Sequence, residues 1–129
     1  MNKILIQVSV AELLDKISIL EIKKNNISDK KKLLNVNKEY RILKIQLKKK
    51  VKFDHKLSQF FKKLKKINSK LWIIEDKKRI CEKKKDFGKK FIKLSRDVHF
   101  FNDDRAKIKL DINNYSGSDI KEVKEYIKY

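Results

Sequence analysis

The chain has 129 residues, 36 basic and 17 acidic, for a net charge of +19, with one Cys, two Gly and no Pro. One Cys excludes an intramolecular disulfide framework and a Cys-rich zinc module. The longest apolar run, Leu71 to Ile74, is far too short to cross a membrane.

Residues 4–8 (ILIQV) read as an extended lead-in, too short and too soon polar for a secretory signal, so the cytoplasm is the expected compartment. Ser9-Val10-Ala11-Glu12 has the spacing of a capping box and opens a helix to about Asn26, with Val10, Leu13, Leu14, Ile17 and Leu20 on one face. A turn over Asn25 to Asp29 supplies a new N-cap. The second helix covers about 29–51, with Leu33, Val36, Tyr40, Leu43 and Leu47 spaced 3, 4, 3, 4. The third covers about 55–84, its stripe running Leu57, Phe60, Leu64, Ile67, Leu71, Ile74 and Cys81, with Asp54 as cap. The fourth covers about 87–114, through Phe87, Phe91, Leu94, Val98 and Phe101 to Arg105, Ile108 and Ile112, with Asp86 as cap. Gly117 suits a left-handed stop. Ser118-Asp119 then starts a short last helix with Ile120, Val123 and Ile127. The expected fold is therefore all-α: one domain, 1–129, an elongated bundle of long antiparallel helices with a protruding Lys-rich hairpin over about 28–85.

The charge is concentrated. Residues 28–85 hold 22 basic and 6 acidic side chains, +16 of the total +19. Of the 36 basic residues 32 are Lys, in a chain rich in Ile and Asn and poor in Ala, Gly, Arg and Pro. That is the mark of AT-rich coding, so much of the charge reads as solvated surface. The residues that resist the bias, among them Arg79, Arg96, Arg105, Trp72 and Gly88, are the better pointers to selected roles.

Two places carry the residue types that bind ligands. The first is the expected hairpin tip, 44–66, where ten Lys stand against Asp54 alone. Lys48, Lys49, Lys50, Lys52, Lys62, Lys63, Lys65 and Lys66, interleaved with Phe53, Phe60 and Phe61, fit non-specific contact with nucleic-acid phosphates and bases, or with an anionic membrane surface. Arg, the better bidentate phosphate partner, is absent there. The second is a polar cluster between helices: Glu21, Glu75, Arg79, Arg96, Asn102, Asp103 and Arg105. Glu75, Arg79 and Glu82 share one helix face by spacing. Arg105 occupies a heptad slot meant for an apolar residue, so it is expected to be partly buried against an acid: Asp103, Glu21 or one from a partner chain. Such a cluster either binds an anion or fixes helix register.

Enzyme templates fit poorly. A Gly-rich phosphate loop and a Gly-x-Ser-x-Gly elbow are both missing from the sequence. His55 and His99 lack a second ligand at metal spacing, and Cys81 sits in a core stripe. Glu12-Leu-Leu-Asp15 and Glu122-Val-Lys-Glu125 match the acid spacing of all-α pyrophosphatases, a spacing common in helix first turns. The expectation is no cofactor and no metal.

From Val8 onward the sequence resembles an uncharacterised small all-α domain-of-unknown-function family of bacteria and phages. The matching stretches are Val8 to Lys23, Leu71-Trp72-Ile73-Ile74-Glu75-Asp76, Arg79-Ile80-Cys81-Glu82, Asp86-Phe87-Gly88 and Asn102-Asp103-Asp104-Arg105-Ala106. The resemblance implies no reaction and no catalytic residue. Ser95 and His99 depart from its usual residues at those positions.

Together these features predict a non-enzymatic helical interaction protein, self-associating, whose polar cluster holds an anionic small molecule or a protein partner. The alternatives are an enzyme acting on a nucleotide or nucleotide-sugar at the same cluster, and non-specific nucleic-acid binding through the Lys-rich tip.

Overall fold

The computed structural model describes residues 2–118 and 123–129. Four helices follow one another: α1 (Val10–Asn26), α2 (Lys30–Lys50), α3 (His55–Lys84) and α4 (Lys89–Ser116). The protein is all-α, and its helices pack as a bundle. Residues 2–8 have no regular structure, and Ile4 is 86% exposed.

Local chemistry sets most of the boundaries. The Ser9 side chain accepts from the Glu12 N–H at 3.1 Å, that of Asp29 from Lys32 N–H at 3.1 Å and that of Asp54 from Leu57 N–H at 2.9 Å. The reciprocal half of the capping box is replaced, because the Glu12 carboxylate turns to Lys109 at 2.9 Å. Asp86 does not cap α4; its carboxylate accepts from Gly88 N–H at 3.2 Å, and Gly88 is the N-cap, without a side-chain bond. The helix therefore begins at Lys89, two residues later than the expected start at 87. Lys85 (φ 55) ends α3 and Gly117 (φ 69) ends α4, both left-handed. Of the expected last helix, Ile120 lies outside the described residues, and 123–129 carry no helix.

The packing order differs from the chain order. α1 packs on α2, α3 and α4, and α3 packs on α4. Among the described residues α2 and α3 form no helix pair, so the expected 28–85 hairpin is split, with α1 between its arms. The physical reason lies in α1. It is only 17 residues long, about 25 Å, yet Ala11, Leu13, Leu14, Ile17, Leu20 and Ile22 are all buried. A helix apolar on more than one side is most stable in the middle. Along α3 and α4 the partners run in opposite order, Phe60 meeting Tyr115, Lys70 meeting Phe101 and Lys78 meeting Phe91.

Two cores result. The main one joins Leu13, Leu14 and Ile17 of α1 to Leu47, Leu57, Leu64 and Ile112. A smaller one, Ile74, Cys81 and Leu94 with Phe91, Val98 and Phe101, holds the distal halves of α3 and α4 together. No described helix is long and apolar enough to cross a membrane.

Candidate functional site

A buried polar network ties α1 to α3 and α4. It is built on a second stripe of α1, Ala11, Asp15, Ser18 and Ile22, at spacings of 4, 3 and 4. Small residues at 11 and 18 let neighbouring helices approach. Asp15 is 2% exposed. Its carboxylate accepts from Arg105 Nε at 3.2 Å, from Arg105 Nη2 and from Asn68 Nδ2 at 2.8 Å, with Lys109 Nζ at 3.6 Å. Asn68 Nδ2 also donates to Ser18 Oγ at 2.8 Å, and that hydroxyl donates to the Asp15 carbonyl at 2.8 Å. One turn away, Ala11 N–H donates to Asn113 Oδ1 at 2.9 Å. Among the described residues no buried side-chain polar atom lacks a partner.

Two opposed effects set the charge state of Asp15. Burial raises its pKa and is the largest single influence. The hydrogen bonds from Arg105 and Asn68, with the positive charges of Arg105 and Lys109, together outweigh it, so the carboxyl sits below its ordinary value. Asp15 is therefore a buried carboxylate held by two cations. The acids of the Glu12-x-x-Asp15 motif are both engaged by α4 cations, and Glu122 of its expected counterpart lies outside the described residues.

The cluster expected from sequence is distributed over three places. Glu21 stands apart, accepting from Lys65 Nζ at 2.8 Å and from the Tyr40 hydroxyl at 3.1 Å. Burial, then the charge and hydrogen bond of Glu21, raises the Tyr40 pKa. Glu75 and Arg79 pair with each other at 3.0 Å on an exposed face of α3. Arg96, Asn102, Asp103 and Arg105 do come together, lining a cleft between α4 and residues 124–129. His99, Phe100 and Ala106 complete the α4 wall; Lys124, Tyr126, Ile127, Lys128 and Tyr129 form the other. The Tyr129 hydroxyl bonds Asp103, and its ring meets Phe100 edge-on at 5.4 Å. Arg105 thus has two sides, one held by Asp15 and one on the cleft. Sequence reasoning offered Asp103 and Glu21 as its acid and missed Asp15.

The lysines of the expected tip occupy the α2–α3 connection and its flanks. Lys48, Lys49 and Lys50 form the last turn of α2, complementing its dipole. With Lys52, Lys62, Lys63 and Lys66 they are exposed, whereas Lys65 is paired with Glu21. Phe53 and Phe61 meet edge-on at 6.1 Å, and Phe60 packs into the main core.

Residues 4–128 match the model described as "Family of unknown function (DUF6165)", so the chain belongs to that family. Comparison with curated proteins and with solved structures gives no match.

Proposed function

We propose, for this member of a family of unknown function, a non-enzymatic role as a helical binding protein that takes an anionic ligand in the cleft between α4 and residues 124–129. The observation that carries the reading is the lining. Among the described lining residues Arg96, Arg105, Lys124 and Lys128 stand against one acid, Asp103, with Arg105 also paired to Asp15 behind the wall, and Phe100, Tyr126 and Tyr129 add aromatic surface. Cations around aromatic walls favour a phosphorylated or carboxylated ligand with a flat ring. Arg105 is a pre-set member of the site, because Asp15 fixes its guanidinium from behind. This is the preorganisation a binding site needs.

The test is a thermal-shift titration with inorganic phosphate, a nucleoside diphosphate and a nucleotide-sugar. A ligand that binds the folded chain raises Tm with its concentration. The shift is expected for at least one of the three and is expected to disappear in Arg96→Ala, whose exposed side chain is not needed for folding. No shift with any of them at millimolar concentration defeats the reading. A turnover product accumulating with the nucleotide-sugar moves it to the enzyme alternative.

A further inference from the structure

The outer face of α2 overlaps the expected Lys-rich tip only at its end, through Ile45 and Lys49. Among the described helices α2 pairs with α1 alone, burying Val36 and Leu47 with Tyr40 and Leu43 on its inner side. The opposite side is solvent-facing along 21 residues, about 31 Å. That side presents Leu34, Lys38, Arg41, Ile42, Ile45 and Lys49, spaced 4, 3, 1, 3 and 4, a continuous stripe within an arc of about 120°. All six are exposed, Leu34 by 70%, Ile42 by 51% and Ile45 by 50%. Glu39, the only acid in α2, falls outside the stripe. α2 is thus amphipathic twice over, with one apolar face for the bundle and one mixed apolar and cationic face for something else.

We propose that this outer face of α2 docks on an anionic lipid surface. Charge complementarity fixes the sign of the partner: the stripe is purely cationic, so a second copy of the same face is repelled. The aliphatic residues narrow the class. Leu34, Ile42 and Ile45 gain nothing against phosphates in water, whereas a bilayer interface takes aliphatic side chains into its acyl boundary while Lys and Arg reach the headgroups. Shape agrees. The face is the convex outside of a single helix, suited to a flat surface rather than to the groove that a partner helix seeks. The helix lies on the surface and does not cross it, its apolar content being far too low for a span.

The experiment is co-sedimentation of the full chain with phosphatidylcholine vesicles, with and without phosphatidylserine, beside binding to duplex DNA and to polyglutamate. Binding is expected only with phosphatidylserine present. It should fall about tenfold or more both in Lys38→Glu with Arg41→Glu and in Leu34→Ser with Ile45→Ser, the latter at unchanged charge. The charge-matched pair Lys83→Glu with Lys84→Glu, exposed at the far end of α3, should bind within about twofold of the parent. Helical circular dichroism checks that each exposed substitution leaves the fold in place. The proposal is overturned by vesicle binding that survives Leu34→Ser with Ile45→Ser, by equal loss in the α3 pair, by binding to DNA or polyglutamate without vesicle binding, or by no binding at all.

Discussion

The guanidinium of Arg105 grips the carboxylate of Asp15 across ninety positions of chain, and Asn68 holds the same carboxylate from a third helix. One acid thereby fixes the register of α1, α3 and α4. Removing it should be costly, because Arg105 then loses its buried carboxylate and Lys109 loses one of its two acids. Asp15→Asn is expected to lower stability by about 3–5 kcal/mol. Replacing Asp15 and Arg105 together by apolar residues of similar volume should cost markedly less. Urea unfolding of the two variants checks the difference.

The same carboxylate makes stability pH-dependent. Its folded pKa lies below its unfolded value, so its contribution is fully present above the unfolded value of about 3.9. It is lost as pH falls through the lower folded value. The stability gap between the parent and Asp15→Asn is therefore expected to be constant through neutral pH and to shrink below about pH 4. Unfolding curves collected across that range test it.

Asn68 serves two acceptors with one amide nitrogen. Asn68→Ala is expected to cost about 1–3 kcal/mol by leaving Ser18 and part of Asp15 without a donor. Asn68→Asp should cost more, since it sets a second acid against Asp15. Thermal unfolding ranks the two.

The helix stops offer a contrast. Lys85 and Gly117 share the left-handed conformation, which costs a residue with a side chain about 1–2 kcal/mol. Lys85→Gly is expected to stabilise by up to about 1 kcal/mol, and Gly117→Ala to destabilise by a similar amount although nothing lies within 4 Å of the added methyl. Differential scanning calorimetry on both variants reads the opposite signs.

The exposed pair Glu75 and Arg79 should matter little to folding. Arg79→Ala is expected to change stability by no more than about 0.5 kcal/mol, and to leave any cleft-dependent thermal shift intact because the pair stands away from Arg96 and Arg105.

The four helices could be read from the sequence because each carries a long periodic stripe and, for α1 to α3, a capping side chain. The neighbours of α1 could not. Its apolar residues were assigned to one face, whereas Ala11, Asp15, Ser18 and Ile22 form a second stripe whose two polar members look like ordinary helix surface. Arg105 in an apolar slot signalled a buried acid. Its choice of Asp15 depended on α1 lying between α2 and α3, which no local pattern encodes. The small residues at 11 and 18, flanking Asp15 on one line, were the available sign of close helix approach. Arg96, Asn102, Asp103 and Arg105 were recoverable as a group because all lie on one stretch of α4. Glu75 and Arg79 were drawn in by spacing alone.

The split between the two cores has a dynamic consequence. The distal halves of α3 and α4 are joined by contacts between residues close in sequence around one short connection, while the main core needs α1 and the end of α4, more than ninety positions apart, at the same time. The two should open separately. Amides near Cys81 and Leu94 are set to exchange with solvent through sub-global fraying of the distal arm, whereas those of Leu14 and Ile17 wait for complete unfolding. In effect the molecule is a firm four-helix clasp from which a looser arm extends.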